Sequence, residues 1–276
     1  MTATALYAGP IAPRPIWRSL LWTVPVTVLW TLFIFWQPAI PASGVPIMAL
    51  RLMVHGLIAV GLWLGLERTA LTPDQRRTTW LAIMIPYTLW IAVAWSAAID
   101  GVFRPGALPV RMPLVPLAVL LPVIFGAPLL LLSKRIGQLL DAMPASWLVA
   151  LQLSRVFGSV FLAAWLGGTA PGVFALPAGI GDVLTGLFAV PAALAVATGT
   201  AQGRRSGITW NIFGLADYAV AITLGLITAP GPMQLLVTSV PNIGALTYPT
   251  VLIPAYTVPS AILLHLLSLR QLRRRA

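Results

Sequence analysis

The chain is a succession of apolar segments, each about twenty residues long, separated by short loops that hold most of the charge. A helix needs about 20 mostly apolar residues to cross the bilayer core. In lipid only a helix or a closed barrel satisfies every backbone group internally. Charged residues make up 8% of the 276 residues and mean hydropathy is +0.92, against about 25% charged in an average soluble domain. A soluble fold of this length would still need a polar surface. The sequence therefore predicts an all-α, polytopic integral membrane protein, a bundle of about eight transmembrane helices with short loops. The spans fall at about 18–37, 46–66, 79–99, 113–133, 146–167, 175–197, 207–228 and 246–268. They make one transmembrane domain, 18–268, between a short stub, 1–17, and a basic tail, 269–276.

Three local readings refine that division. The first apolar run, Leu20 to Trp36, is longer than a signal-peptide core and rich in Trp. It is read as span one, although Ala39-Ile-Pro-Ala42 faintly resembles a cleavage site. Ile136 to Met143 is amphipathic and is expected at the interface before span five. Residues 229–245 are apolar but interrupted by Pro230, Pro232 and Pro241, which predicts a surface or re-entrant loop.

Basic residues test the span count independently, because cytoplasmic loops collect Lys and Arg. With the N-terminus inside, the inner segments hold Arg14, Arg18, Arg68, Arg76, Arg77, Lys134, Arg135, Arg204, Arg205, Arg270, Arg273, Arg274 and Arg275. The outer loops hold Arg104 and Arg111. That asymmetry places both termini in the cytoplasm and the protein in the cell's inner (plasma) membrane. It also accounts for the net charge of +11 without nucleic acid, since a basic tail next to a span meets anionic headgroups. Trp17, Trp80, Trp147 and Trp210 fall at inner helix ends and Trp36, Trp95 and Trp165 at outer ends, as amphipathic rings favour.

Against this background three charges stand out. Arg155, Asp182 and Asp217 lie inside apolar spans, and a charge there is costly and usually paired, wet or functional. In span five, Gln152, Arg155 and Ser159 share one helical face with Gly158 beside them. Asp217 lies at nearly the same depth in span seven, with Gly214 and Ala221 forming a narrow ridge and Asn211 on an adjoining face. An Arg155–Asp217 ion pair is the first contact expected. In span six, Pro177, Gly179 and Gly181 precede Asp182, which predicts either a broken helix or a kinked small-residue packing face.

Arg51 and His55 share a face of span two. Arg51 is expected to snorkel to the outer headgroups, and His55 either to form a plain hydrogen bond or to relay protons to Asp182. His265 is expected near the inner interface. Pro249, Pro254 and Pro259 in span eight free carbonyls for neighbouring donors or for a ligand. A weak echo links Arg155-Val-Phe-Gly158 with Asn211-Ile-Phe-Gly214 and Thr169-Ala-Pro-Gly172 with Thr228-Ala-Pro-Gly231, consistent with a duplicated two-helix unit.

The absence of Cys excludes disulfides and thiolate metal sites. With two His and no nucleotide, zinc-hydrolase or nucleophile-elbow motif, the sequence gives no metal site, no cofactor and no recognised catalytic residues. The reading favoured is a small secondary transporter or permease. Its substrate or proton site is formed by Arg155, Asp182, Asp217, His55, Asn211 and Gln152, and its partners are membrane lipids and a small polar or ionic solute. Two alternatives stay open: a structural or accessory subunit whose ion pair fixes helix packing, and an integral-membrane enzyme acting on a lipid or isoprenoid.

Overall fold

The computed structural model describes residues 16–37, 44–107 and 112–274, and these form helices joined by short connections. In order they are α1 (Ile16–Trp36), α2 (Val45–Glu67), α3 (Pro73–Ile99), α4 (Leu114–Leu132), the short α5 (Lys134–Ala142), α6 (Ser146–Leu166), α7 (Gly172–Ala197), α8 (Ala201–Thr228) and α9 (Val258–Arg274). All but α5 and α9 are long and apolar enough to cross a membrane, which marks a multi-pass membrane protein. Most of the predicted stub, the Ala39–Ala42 segment, and Arg14, Arg111 and Arg275 lie outside the described residues.

The helices start where the sequence supplies caps. Thr72 and Gln75 form a reciprocal capping box at α3, with Pro73 at the first helical position. Ser133 caps α5 and Thr200 caps α8 by accepting from Ile136 N and Gly203 N. α5 is the expected amphipathic piece, and its apolar face (Ile136, Leu139, Leu140) is buried. It is tied to the end of α9: Gln271 Nε2 donates to Leu140 O and Met143 O, and Arg274 pairs with Asp141 at 2.9 Å.

α7 sits at the centre, packed against α8, the whole length of α6 and α1. About half of α6 is buried and only about a tenth of α4, so the charged helices are also the inner ones. The connections sort the bundle into two ends. Arg68, Arg76, Arg77, Lys134, Arg135, Arg204, Arg205, Arg270, Arg273 and Arg274 lie at one end, and Arg104 lies at the other. These are called the arginine-rich and arginine-poor ends below.

Three expectations change. α7 runs unbroken from Gly172 to Ala197. Pro177 sits near the helix start, where it forfeits one hydrogen bond. Gly179 and Gly181 serve as contact points instead: a β-carbon at Gly179 would sit 2.7 Å from Leu162 Cγ, and one at Gly181 would overlap the Asp217 carboxylate. α6, by contrast, is not regular. Its middle, Leu151–Ser159, is wound as a 3₁₀ helix between α-helical turns.

The predicted eighth span is also redistributed. Thr247 to Leu252 is not regular helix, Ile253–Thr257 forms a π turn, and α9 continues to Arg274, absorbing most of the predicted tail. Pro254 opens the π turn and Trp90 Nε1 of α3 donates to Ala255 O at 3.0 Å. A neighbouring indole therefore takes this carbonyl. The expected loop, residues 229–245, has no α-helix and ends in a single 3₁₀ turn, Gly244–Leu246. It is tied to the end of α8 by Leu235 N and Leu236 N on Ile227 O and by Asn242 Nδ2 on Thr228 Oγ1 at 2.9 Å. The echo of α6 in α8 does not extend to this end, because Thr169-Ala-Pro-Gly172 leads into a helix and Thr228-Ala-Pro-Gly231 into this loop.

Candidate functional site

The site begins with the winding of α6. A 3₁₀ helix has three residues per turn, so side chains three apart eclipse. Gln152, Arg155 and Gly158 therefore stand in one line. Gly158 and Gly186 let α6 and α7 approach closely: a β-carbon at Gly158 would overlap the Asp182 carboxylate, and one at Gly186 would meet Val156 N. This close seam delivers Arg155 to the carboxylates of two helices at once.

Arg155 is almost fully buried and its guanidinium is nearly saturated. Nε donates to Asp182 Oδ1 at 2.8 Å, Nη2 donates to Asp217 Oδ2, and Nη1 donates to Gly214 O at 3.2 Å. The planar group also lies 3.8 Å over the Tyr218 ring, a cation–π contact. The expected Arg155–Asp217 pair is present, and Asp182 joins it. One guanidinium between two carboxylates leaves one excess negative charge when both acids are ionised.

Nη1 also lies 3.2 Å from His265 Nε2. Arginine has only donors, so Nε2 carries the lone pair and Nδ1 the proton. Nδ1 then donates to Asn211 Oδ1 at 2.9 Å, and Asn211 Nδ2 donates to Ser268 Oγ at 3.0 Å and Gly207 O at 2.7 Å. The result is a one-directional chain of donors running from the ion cluster toward the arginine-rich end. Asn211, His265 and Ser268 have essentially no exposed surface.

Gln152 stands apart from the ions and donates to Ala261 O at 3.1 Å. His55 does not reach Asp182. Its Nδ1 lies 2.8 Å from Tyr256 OH and its Nε2 3.1 Å from Thr88 Oγ1, while its ring stacks on Tyr87 at 4.7 Å. The plain hydrogen-bonded reading holds and the relay to Asp182 does not. Arg51 does not snorkel either: it is 6% exposed and donates to Ile47 O at 2.9 Å.

Sequence reasoning missed His265 and Tyr218. With span eight ending at 268, the sequence puts His265 at the inner interface. With α9 continuing to Arg274, it lies nine residues from the helix end, ~13 Å at 1.5 Å per residue. Tyr218 follows Asp217 directly, and no spacing rule singles it out. Its ring meets the Arg155 guanidinium, which stands on the 3₁₀ part of α6.

Two cavities meet at this cluster. The larger, about 440 Å³, is lined at the arginine-poor end by Arg104, Met112 and Met233 and in depth by Ala178, Asp182, Tyr218 and Ala221. The smaller, about 80 Å³, lies between α1, α2, the middle of α6 and the π turn with α9, and is lined by Trp30, Arg51, Gln152, Arg155, Asp182 and Tyr218 among others. Asp182 and Tyr218 are on both walls. Asp182 Oδ2 makes no hydrogen bond among the described residues.

An all-helical bundle with a buried arginine–carboxylate cluster between two cavities defines a class of membrane protein without defining its chemistry. The chain belongs to the family described as a domain of unknown function (DUF8737), whose model matches residues 111–273. That stretch runs from α4 to α9 and holds the whole Arg155 network. No curated protein and no solved structure matches the chain.

Proposed function

We propose that the protein is a small secondary transporter or permease of the inner (plasma) membrane, with Arg155, Asp182 and Asp217 as its midplane site. The arginine-rich end faces the cytoplasm. α9 with its π turn is the eighth crossing, so both termini are cytoplasmic, and the surrounding partners are membrane lipids. One observation carries the reading: Asp182, though buried, keeps Oδ2 unbonded and forms part of the wall of both cavities. A charge pair that only fixed helix register would gain nothing from an open carboxylate, because an incompletely bonded buried charge is expensive.

The cavity near Asp182 leads toward the arginine-poor end, while the Asn211–His265–Ser268 chain closes the other side. This asymmetry supports an outward-open arrangement of an alternating site. The near-saturation of Arg155 favours the second reading, an accessory subunit with a structural ion cluster, and one experiment separates the two. The chain has no Cys, so Ile222→Cys and Ser268→Cys report the two sides alone. With a membrane-impermeant thiol reagent, the transporter reading predicts labelling of Ile222→Cys from the arginine-poor side. It also predicts labelling of Ser268→Cys from the arginine-rich side in the condition, set by pH or solute, that protects Ile222→Cys. If Ser268→Cys stays unlabelled in every condition, the pocket is static and the structural reading replaces transport.

A further inference from the structure

The smaller cavity contains a second buried arginine whose bonding is incomplete. Among the described residues Arg51 has no acid within ion-pair distance, its Nη1 donates to Ile47 O, and its Nε has no partner. The indole Nε1 of Trp30, on α1 and lining the same cavity, is also without a partner among the described residues. Buried donors are rarely left unmet. Two unmet N–H donors lining one cavity, one of them cationic, with the unbonded Tyr87 hydroxyl on the same wall, call for an acceptor-rich, negatively charged group. The rest of the wall is mostly apolar, including Val54, Phe157 and Leu264, with Gln152, Ser260 and the Tyr87 hydroxyl among its polar groups and the open Asp182 beyond.

We propose that this cavity binds a small organic carboxylate with a short apolar body, the Arg51 guanidinium and the Trp30 indole N–H holding its anionic end. One water needs about 10–15 Å³ of cavity, so a cavity of about 80 Å³ admits a molecule of roughly six or seven heavy atoms. That size fits a short-chain acid and excludes a lipid headgroup with its tails. Arg51 and Arg155 together balance Asp182 and Asp217, so the bound anion adds one negative charge to a neutral set. A carboxylate that enters with a proton, delivered to Asp182 Oδ2, restores the balance. The proposal names the substrate class of the transport site and rests on that reading. Binding is measured without transport, so either can fail alone.

The test uses the purified full chain in detergent, with isovalerate as probe and isovaleramide as its neutral, similarly shaped control. Isovalerate is expected to raise the Tm in a saturable way, and the amide is not. Arg51→Gln should weaken the apparent affinity about tenfold or more, the size expected for losing hydrogen bonds to a charged group. Trp30→Phe should weaken it by a smaller factor. Should Arg51→Gln not be recovered folded, Arg51→Lys takes its place and is expected to bind measurably less tightly, since an ammonium lacks the guanidinium's fork. Equal shifts with acid and amide, no shift with either, or unchanged affinity in the Arg51 variant would overturn the proposal.

Discussion

Arg155 and Arg51 are both buried inside apolar helices, and the protein treats them differently. Arg155 is spent: two carboxylates, a backbone carbonyl, a histidine nitrogen and an aromatic face take up its guanidinium. Arg51 has one backbone carbonyl and an unmet Nε. The first is held by the most closely packed part of the molecule, where glycines bring α6, α7 and α8 together. The second lies on α2, one of the less buried helices. The family match, residues 111–273, contains the first and not the second. A saturated arginine organises the fold around it, whereas an unsaturated one stores binding capacity at a cost in stability.

Mutations should expose that difference. The largest effect is expected from Arg155→Gln, which strands two carboxylates in the bundle. Breaking a buried pair from one side costs about 3–5 kcal/mol, to be read as lost stability in denaturing-detergent titrations. The double variant Arg155→Gln/Asp217→Asn should recover part of that loss, because one stranded charge is gone. Additivity of the two single changes would contradict the coupling.

His265→Leu removes a hydrogen-bonding partner of a charged group and should cost about 1.5–3 kcal/mol. An interfacial histidine would cost almost nothing. Gly181→Ala drives a methyl group into the Asp217 carboxylate and should cost about 1–3 kcal/mol by overpacking. A neutral result would mean that α7 and α8 are further apart than described. The smallest effect belongs to Arg51→Met. Removing an unmet buried donor should leave stability within about 1 kcal/mol of the wild type, or raise it. A loss as large as that of Arg155→Gln would show that Arg51 has a structural partner.

The difference between the two arginines was only half legible in the sequence. The seven long helices and their order followed from apolar length, and the two ends from the alternation of Arg-rich loops, because lipid leaves a chain few other solutions. The eighth predicted span did not keep its bounds. The pairing of Arg155 with Asp217 followed from equal depth. Which acid else would join, and which arginine would stay unpaired, depended on helix winding. Nothing in Leu-Gln-Leu-Ser-Arg-Val-Phe-Gly-Ser announces a 3₁₀ stretch, yet that winding aligns Arg155 with Gly158 and α7. His265 lies deeper than its spacing suggests because the last helix continues to Arg274, beyond the expected end at 268. His55 meets Tyr256 and not Asp182, the Tyr256 hydroxyl lying on the π turn.

Whether the Arg155 cluster is a wet, working site comes down to water beside Asp182. Ala221, one turn beyond Asp217, lines the larger cavity and offers a position for a single thiol. The Ala221→Cys protein in liposomes should react with a membrane-impermeant thiol reagent applied at the arginine-poor end. It should react faster with a cationic reagent than with an anionic one of the same shape, because the cluster carries excess carboxylate. Neutralising Asp182 as Asn should erase that preference. An unreactive thiol in the folded protein would mean a dry core, and the transporter reading would fall with it.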